Sequence, residues 1–352
     1  MPRLVYYLLA ALVPLLPGCN GPDAQFTIVV IPKGLSHEHW QSVHRGAERC
    51  AADLLAEGNL RVRVIFDGPL RERDAMEQIR IVDRRVATGA GGIVLAPQHS
   101  KTMTACVKRA DDAGVPVVII DSGLAEKGHY VKYVATDNYH GGCLAAEHLL
   151  GELKKQGKEK PRLILFRYAV GSESTEQREQ GFLDTAKKMC PDAEWLSTDR
   201  YAGATRDSAM REAGPLVLQF KDKVDGIFAP NESSAGGMLD VLRSQGLNKR
   251  VLLMGFDSSK PLLQAIQEGD VVGSILQDPY RMGYVSTWCC VRYLLGEDVN
   301  AGGKDVELST GEFLITKENV TAESTLGLFS PEYQAMRVID KPRFPKRAGI
   351  PK

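Results

Sequence analysis

The feature that most limits what this chain can fold into is a rhythm that starts twice. Short strand-type runs at Phe26–Ile31, Arg61–Phe66, Gly92–Ala96 and Pro116–Ile120 alternate with amphipathic helical patterns at about 37–56, 71–88 and 101–113. The alternation then begins again. Helical patterns at about 139–155, 175–189, 205–220 and 233–245 are interleaved with runs at Arg162–Phe166, Glu194–Leu196, Gly226–Ala229 and Val251–Phe256. Near-continuous apolar runs joined by crossover helices make βαβ units, whose parallel sheet is covered on both faces. Nine or more strands overfill one open sheet, so the expected class is α/β with two doubly wound parallel-sheet lobes. Their first boundary falls near Tyr133–Asn138.

Length and charge agree with this reading. The 352 residues suit two domains, and 44 basic residues balance 44 acidic ones. With no net field there is no electrostatic case for nucleic acid or an anionic membrane surface, so a local site for a small molecule is expected. Residues 1–19 differ from the rest: Arg3 precedes the uncharged stretch Leu4–Val13, and the segment ends in Leu16-Pro17-Gly18-Cys19. A basic start, an apolar core and a small residue at the break mark an export signal. The last four residues resemble the lipobox of bacterial lipoproteins, which implies lipidation at Cys19 and attachment to a membrane through the lipid alone. Plain cleavage and an uncleaved anchor are the competing readings. At the other end, 330–352 carries four prolines among Lys and Arg. Such a tail is expected to bury little and to be extended or mobile.

Ligands of doubly wound sheets bind beyond the carboxyl ends of the strands. The polar residues that follow the strands are therefore site candidates: Lys33 and His37 with Trp40, Asp121 with Ser122, Asp137, Asn231 with Glu232, Asp257, and Gln277 with Asp278. Carboxylates, amides and cations bridge neighbouring hydroxyls of a polyol, and Trp40 and Tyr201 offer faces for the C–H side of a sugar ring. His37-Glu38-His39 lacks a nearby third ligand, so no metal is assigned, and His39 and His44 are expected to point away from His37 on their helix or to lie on its surface. Gly89-Ala90-Gly91-Gly92 precedes a strand rather than linking strand to helix, and no P-loop or nucleophile elbow is present. No cofactor and no catalytic residue is assigned.

At these residues the chain resembles the periplasmic sugar-binding proteins of the ribose-binding type. Lys33–Trp40 with Gly46-Ala47 is similar to that family's first ligand loop, and Asp121 to its ligand-binding Asp. Ala135-Thr136-Asp137-Asn138 with Gly141-Gly142 resembles its first hinge, and Gln177–Phe182 the segment whose Arg, here Arg178, reaches the ligand. Phe228–Glu232 and Gly255-Phe256-Asp257 match its amide and carboxylate loops, and Gln277 its hinge amide. The likeness covers about 25–317. It implies a three-crossover hinge, with 25–136 plus 278–310 in the first lobe and 137–277 plus 311–329 in the second. It also implies a monomer that closes on a sugar and delivers it to an ABC permease. His37, His39 and Trp40 replace the asparagine and paired phenylalanines of the ribose-binding member, and Ser122 replaces its Arg, so the ligand is expected to be read differently. Two other outputs share the cleft: a sugar or furanosyl-signal sensor feeding a receptor kinase, and a carbohydrate-active enzyme using two of Asp121, Asp137 and Asp257. A DNA-binding head is not expected, because the export signal stands in its place.

Overall fold

The computed structural model describes residues 24–301 and 307–347, so the leader, Cys19 and the end of the tail lie outside the described residues. In chain order the first lobe opens with β1 (Phe26–Ile31), α1 (Glu38–Gly58), β2 (Val62–Phe66) and α2 (Ala75–Ala87). It continues with β3 (Gly92–Leu95), α3 (Thr104–Asp112), β4 (Val117–Ile120) and β5 (Lys132–Ala135). The chain then crosses to α4 (Asn138–Lys155), β6 (Arg162–Arg167), α5 (Glu173–Met189), β7 (Glu194–Tyr201) and α6 (Arg206–Phe220). The second lobe goes on through β8 (Gly226–Phe228), α7 (Glu232–Ser244), β9 (Leu252–Phe256), α8 (Lys260–Glu268) and β10 (Gly273–Leu276). α9 (Pro279–Leu294) and β11 (Glu307–Ser309) return to the first lobe, β12 (Phe313–Ile315) and α10 (Glu323–Phe329) to the second. Last comes α11 (Pro331–Met336).

Each lobe holds one six-stranded sheet, ordered β11-β5-β4-β3-β1-β2 in the first and β12-β10-β9-β8-β6-β7 in the second. Among the described residues, the strand pairings within the two sheets are parallel except β10 with β12. The apolar strand runs follow from burial on both faces. Ile28 and Val30 pack with Trp40, Val43 and Ala47 of α1 and Tyr284 of α9, while their neighbours Val29 and Ile31 pack with Ile81 of α2 and Val107 of α3. Ile164 and Leu165 divide in the same way between the two cores of the second lobe.

The chain passes between lobes after β5, after β10 and between β11 and β12. The Thr136 hydroxyl donates to Gln277 Oε1 at 2.8 Å, and Thr310 N donates to Ala135 O at 2.8 Å, so the three crossings are laced together.

The tail corrects the expectation of a mobile arm. Leu328 of α10 lies in the second lobe's core, but Ile339, nine residues past Ser330, is buried in the first lobe's core with Phe344 packed beside it. To the three crossings the tail therefore adds a fourth, at Ser330. Three of the charges that argued for solvent have partners: Arg337 Nη1 donates to Asp278 Oδ1 at 2.9 Å, Lys341 pairs with Glu57, and the Arg347 guanidinium lies 4.1 Å from the Tyr293 ring centre. Trp288 Nε1 donates to the carbonyl of Pro342 at 2.8 Å, and a proline carbonyl accepts like any other. Removing the Arg337 head from the deeply buried Asp278 (1% exposed) leaves a carboxylate short of its partner. Arg337→Ala is expected to lower stability by about 1–3 kcal/mol in denaturant unfolding.

One helix pair, α4 with α5, holds Arg178 in place. A Cβ on Gly142 of α4 would lie 2.0 Å from the carbonyl oxygen of Arg178 on α5, and one on Gly181 of α5 would lie 2.0 Å from that of Tyr139. No side chain fits there, so the backbones touch and Arg178 is fixed against α4. Gly151, on the same helix, meets nothing within 4 Å. Gly142→Ala is expected to cost about 1–3 kcal/mol by forcing the helices apart. Gly151→Ala is expected to stabilise by about 0.5–1 kcal/mol through helix propensity. Thermal unfolding of the two variants checks the opposite signs.

Candidate ligand-binding site

Between the lobes lies a cavity of about 840 Å³. Its deepest chemistry comes from two carboxylates in equivalent places. Asp121 follows β4 and Asp257 follows β9, and both have left-handed backbone, with φ of 62° and 67°. In both cases the residue's own N–H donates to the neighbouring strand, Asp121 to Val134 O at 3.2 Å and Asp257 to Ile275 O at 2.8 Å. Asp tolerates this conformation better than most residues, and it turns the carboxylate off the sheet end into the crevice.

Each carboxylate has its cation. Lys33, on the loop after β1, reaches Asp121 Oδ2 at 2.7 Å and also donates to Ser174 Oγ at 3.2 Å in the other lobe. Burial alone would raise the Asp121 carboxyl, but Lys33, His39 and Arg178 outweigh it and hold it below its ordinary value. Arg178, 2% exposed, stacks over Phe256 with its guanidinium carbon 3.8 Å from the ring centre. Its Nε donates to Asn138 Oδ1 at 2.8 Å, its Nη1 donates to Pro230 O at 3.0 Å, and Asp257 Oδ2 lies 3.7 Å away. Gln277 Nε2 donates to Asp257 Oδ1 at 2.5 Å, which ties this carboxylate to the crossings.

Nine of the thirteen residues picked from the sequence line this cavity: Lys33, His37, Trp40, Asp121, Arg178, Asn231, Glu232, Asp257 and Gln277. Asn231 does so while capping α7, its Oδ1 accepting from Ser234 N at 3.2 Å. The other four are placed elsewhere, Asp278 as the cap of α9, its Oδ1 accepting from Arg281 N at 2.9 Å. Asp137 is an exposed helix cap whose Oδ1 accepts from His140 N at 2.9 Å. Tyr201 ends β7, the outermost strand of its sheet, where it is 39% exposed beside Arg167 and away from the crevice. Ser122 is buried beside the cavity, its hydroxyl accepting from Ser174 N at 3.0 Å across the lobe boundary.

His39 corrects a second expectation. It turns inward, with Nε2 3.5 Å from Asp121 Oδ1, because α1 starts only at Glu38 and its first turn opens on the crevice. Burial lowers its pKa below the ordinary histidine value, although Asp121 opposes the shift. Two polar residues absent from the sequence-based set belong to the same wall. Glu72 accepts from Trp40 Nε1 at 2.8 Å and from the Tyr168 hydroxyl of the opposite lobe. Tyr168 comes directly after β6 and was legible by the strand-end rule, whereas Glu72 was hidden in a helix placed about four residues too early at its start.

The lobes meet directly. Besides Lys33–Ser174 and Tyr168–Glu72, Gly123 N donates to Glu173 Oε2 at 2.8 Å and Ser100 N to Gly171 O at 3.0 Å. His37 Nδ1 stands 3.3 Å from Glu232 Oε2 across the cleft, with Glu72 on its other side. The hydrogen bond to Glu232 raises His37 to about 9, over the opposing effect of burial and with help from Glu72, Glu232 and Asp257. At pH 7 the imidazolium therefore links two acidic side chains from opposite lobes.

The chain matches the model of the family described as periplasmic binding protein domain over residues 28–298. It belongs to that family. It is 27% identical over 283 residues to the ribose import binding protein of Bacillus subtilis, covering 80% of this chain and 86% of that relative. It is 26% identical to the D-ribose/D-allose-binding protein of Pseudomonas aeruginosa, over 77% and 82% of the two chains. Among solved structures, a carbohydrate transporter solute-binding protein from Agrobacterium radiobacter in complex with D-arabinose superposes with a TM-score of 0.79. That structure is 31% identical and covers 87% of this chain and 99% of its own. An ABC transporter solute-binding protein from Agrobacterium vitis with bound D-fucose has a TM-score of 0.77 at 26% identity, covering 86% and 99%. As a member of a periplasmic binding protein family, the chain is assigned to the periplasm.

A raised histidine pKa gives the His37 contact a direction in pH. The contact is fully present below about 6.5, the ordinary histidine value, and is lost as pH rises through about 9. Closure, read as fluorescence transfer between dyes on the two lobes, is expected to weaken between those values. Glu232→Gln is expected to flatten that profile.

Proposed function

We propose that this protein captures a sugar between its lobes by hinge closure and delivers it to an ABC permease, without breaking a bond in the ligand. The observation that carries the reading is the cleft, where Lys33 and Asp121 from one lobe face Arg178 and Asp257 from the other, with Gln277 at the crossings between them. Groups of alternating charge converging from both sides suit a ring of vicinal hydroxyls, each of which donates and accepts. A ligand touching both walls favours the closed form by the contacts it makes only there. The relatives are named as sugar-binding components of import systems, which supports both the ligand class and the permease as partner.

The ligand-contacting set we propose is Lys33, His37, Trp40, Asp121, Arg178, Asn231, Glu232, Asp257 and Gln277, joined by His39, Glu72 and Tyr168. Asp137, Tyr201 and Ser122 act as helix cap, sheet edge and lobe contact. Delivery to a membrane permease fits export and a lipid at Cys19, with the folded part a monomer at the membrane surface. No helix among the described residues is long and apolar enough to cross a membrane.

The test is a thermal-shift screen of the chain from Asn20 onward against pentoses, hexoses, deoxy sugars, sugar acids and polyols. A sugar that binds the native state is expected to raise the midpoint with concentration. Arg178→Ala and Asp257→Ala are each expected to weaken that sugar by about ten- to a hundredfold in calorimetric titration, since each removes a charged hydrogen-bond partner. Unchanged affinity in both variants would refute the site.

A further inference from the structure

The residues named so far account for only part of the cavity's lining. The lining continues past Gln277 and Pro279 to residues of α1, the start of α8 and the turn that joins α10 to α11. These include Ser42 and Arg45 of α1, Leu263 of α8, and Leu328, Phe329 and Pro331 around the fourth crossing. The tail therefore does more than cover the first lobe, because it forms one wall of the cleft.

This wall is fastened. Gln334 of α11 is fully buried; its Nε2 donates to Ser42 Oγ at 2.8 Å and to Leu328 O at 2.9 Å, while its Oε1 accepts from Arg45 Nη2 at 3.0 Å. The Arg45 guanidinium takes part in no ion pair among the described residues, so its hydrogen-bonding capacity is not satisfied by a carboxylate. An aromatic and aliphatic floor beside an arginine held by a neutral amide has the two-sided character that a sugar ring needs. Apolar C–H groups can lie on the floor, and hydroxyls can meet the guanidinium. The whole cavity, about 840 Å³, lies toward the upper end of the ~300–1,000 Å³ typical of ligand sites. A single sugar ring held among Lys33, Asp121, Arg178 and Asp257 fills only part of a cavity of this volume, and the part lined by Arg45, Leu263 and Phe329 is the part beyond those four residues.

We propose that the part of the cavity lined by Arg45, Leu263 and Phe329 is a second subsite, and that the preferred ligand is a glycosidically linked one: a disaccharide or a glycoside whose second unit lies against Phe329 and Arg45. This rests on the sugar-capture reading of the cleft. The second unit adds contacts with α8 and α10 of the second lobe and α1 of the first, so it too is gripped from both sides.

Calorimetric titration of the chain from Asn20 onward tests this with D-ribose, D-arabinose, D-fucose, D-galactose and D-glucose, alongside disaccharides and phenyl glycosides built from each. At least one extended ligand is expected to bind about tenfold or more tightly than its parent monosaccharide. Phe329→Ala is expected to bring that ratio to about one while changing the parent's affinity by less than about twofold. Monosaccharide binding with no extended ligand tighter than its parent would overturn the second subsite and leave the capture reading standing. An advantage that survives Phe329→Ala would also overturn the proposed subsite. Binding of neither class would overturn both readings.

Discussion

Charges facing each other across the cleft govern the rest of this structure. Asp121 with Lys33 and Asp257 with Arg178 are held where the two lobes close, and an ion taken out of water is costly unless its partners are in place. The lobes supply those partners from rigid backbone. Asp121 and Asp257 are fixed at the ends of β4 and β9 in left-handed conformations, Arg178 is held against Phe256 and the α4 backbone, and Lys33 spans both lobes through Ser174. A sugar entering such a site replaces water at groups that are already oriented, so little reorganisation opposes binding. The family assignment and the geometry meet here: the fold repeats one crevice design in two lobes, and function arises where the two copies face each other.

Much of the fold was legible because burial on both sheet faces writes a strong pattern. Runs such as Ile28–Ile31 or Ile164–Phe166 have no polar face, and only crossover helices can cover them twice. Short or interrupted strands left weaker traces. β11 is three residues long with one partly covered position, and β7 continues beyond its apolar start into Ser197–Tyr201. For the site, the rule that ligands lie beyond strand ends located most of the wall, including both carboxylates, Lys33 and the hinge amide, whereas Arg178, inside α5, came only from the family resemblance.

Where that rule failed, a local demand of the backbone had taken the residue. Asp137 serves the first turn of α4, and Tyr201 ends the outermost strand of its sheet. His39 was misread for the opposite reason: helical spacing turns residues away from one another, but in a first turn at the crevice mouth both His37 and His39 still face inward. The tail was the largest misreading. Prolines and cations suggest solvent when counted alone, yet Ile339 and Phe344 anchor the segment, and Arg337, Lys341 and Arg347 each meet a carboxylate or an aromatic face. Partners distant in sequence, Asp278, Glu57 and Tyr293, made that docking possible and could not be paired from composition. The resulting fourth crossing also ties the lobes together beside the cleft, so opening has to be accommodated at Ser330 as well as at the three strand crossings.

The central claim is that ligand binding and lobe closure are one event. Small-angle X-ray scattering of the chain from Asn20 onward, with and without a saturating sugar identified by thermal shift, tests it directly. The account predicts a smaller radius of gyration and a sugar-bound profile that fits the closed arrangement described here. A sugar that binds tightly while leaving the scattering profile of an open form unchanged would contradict it.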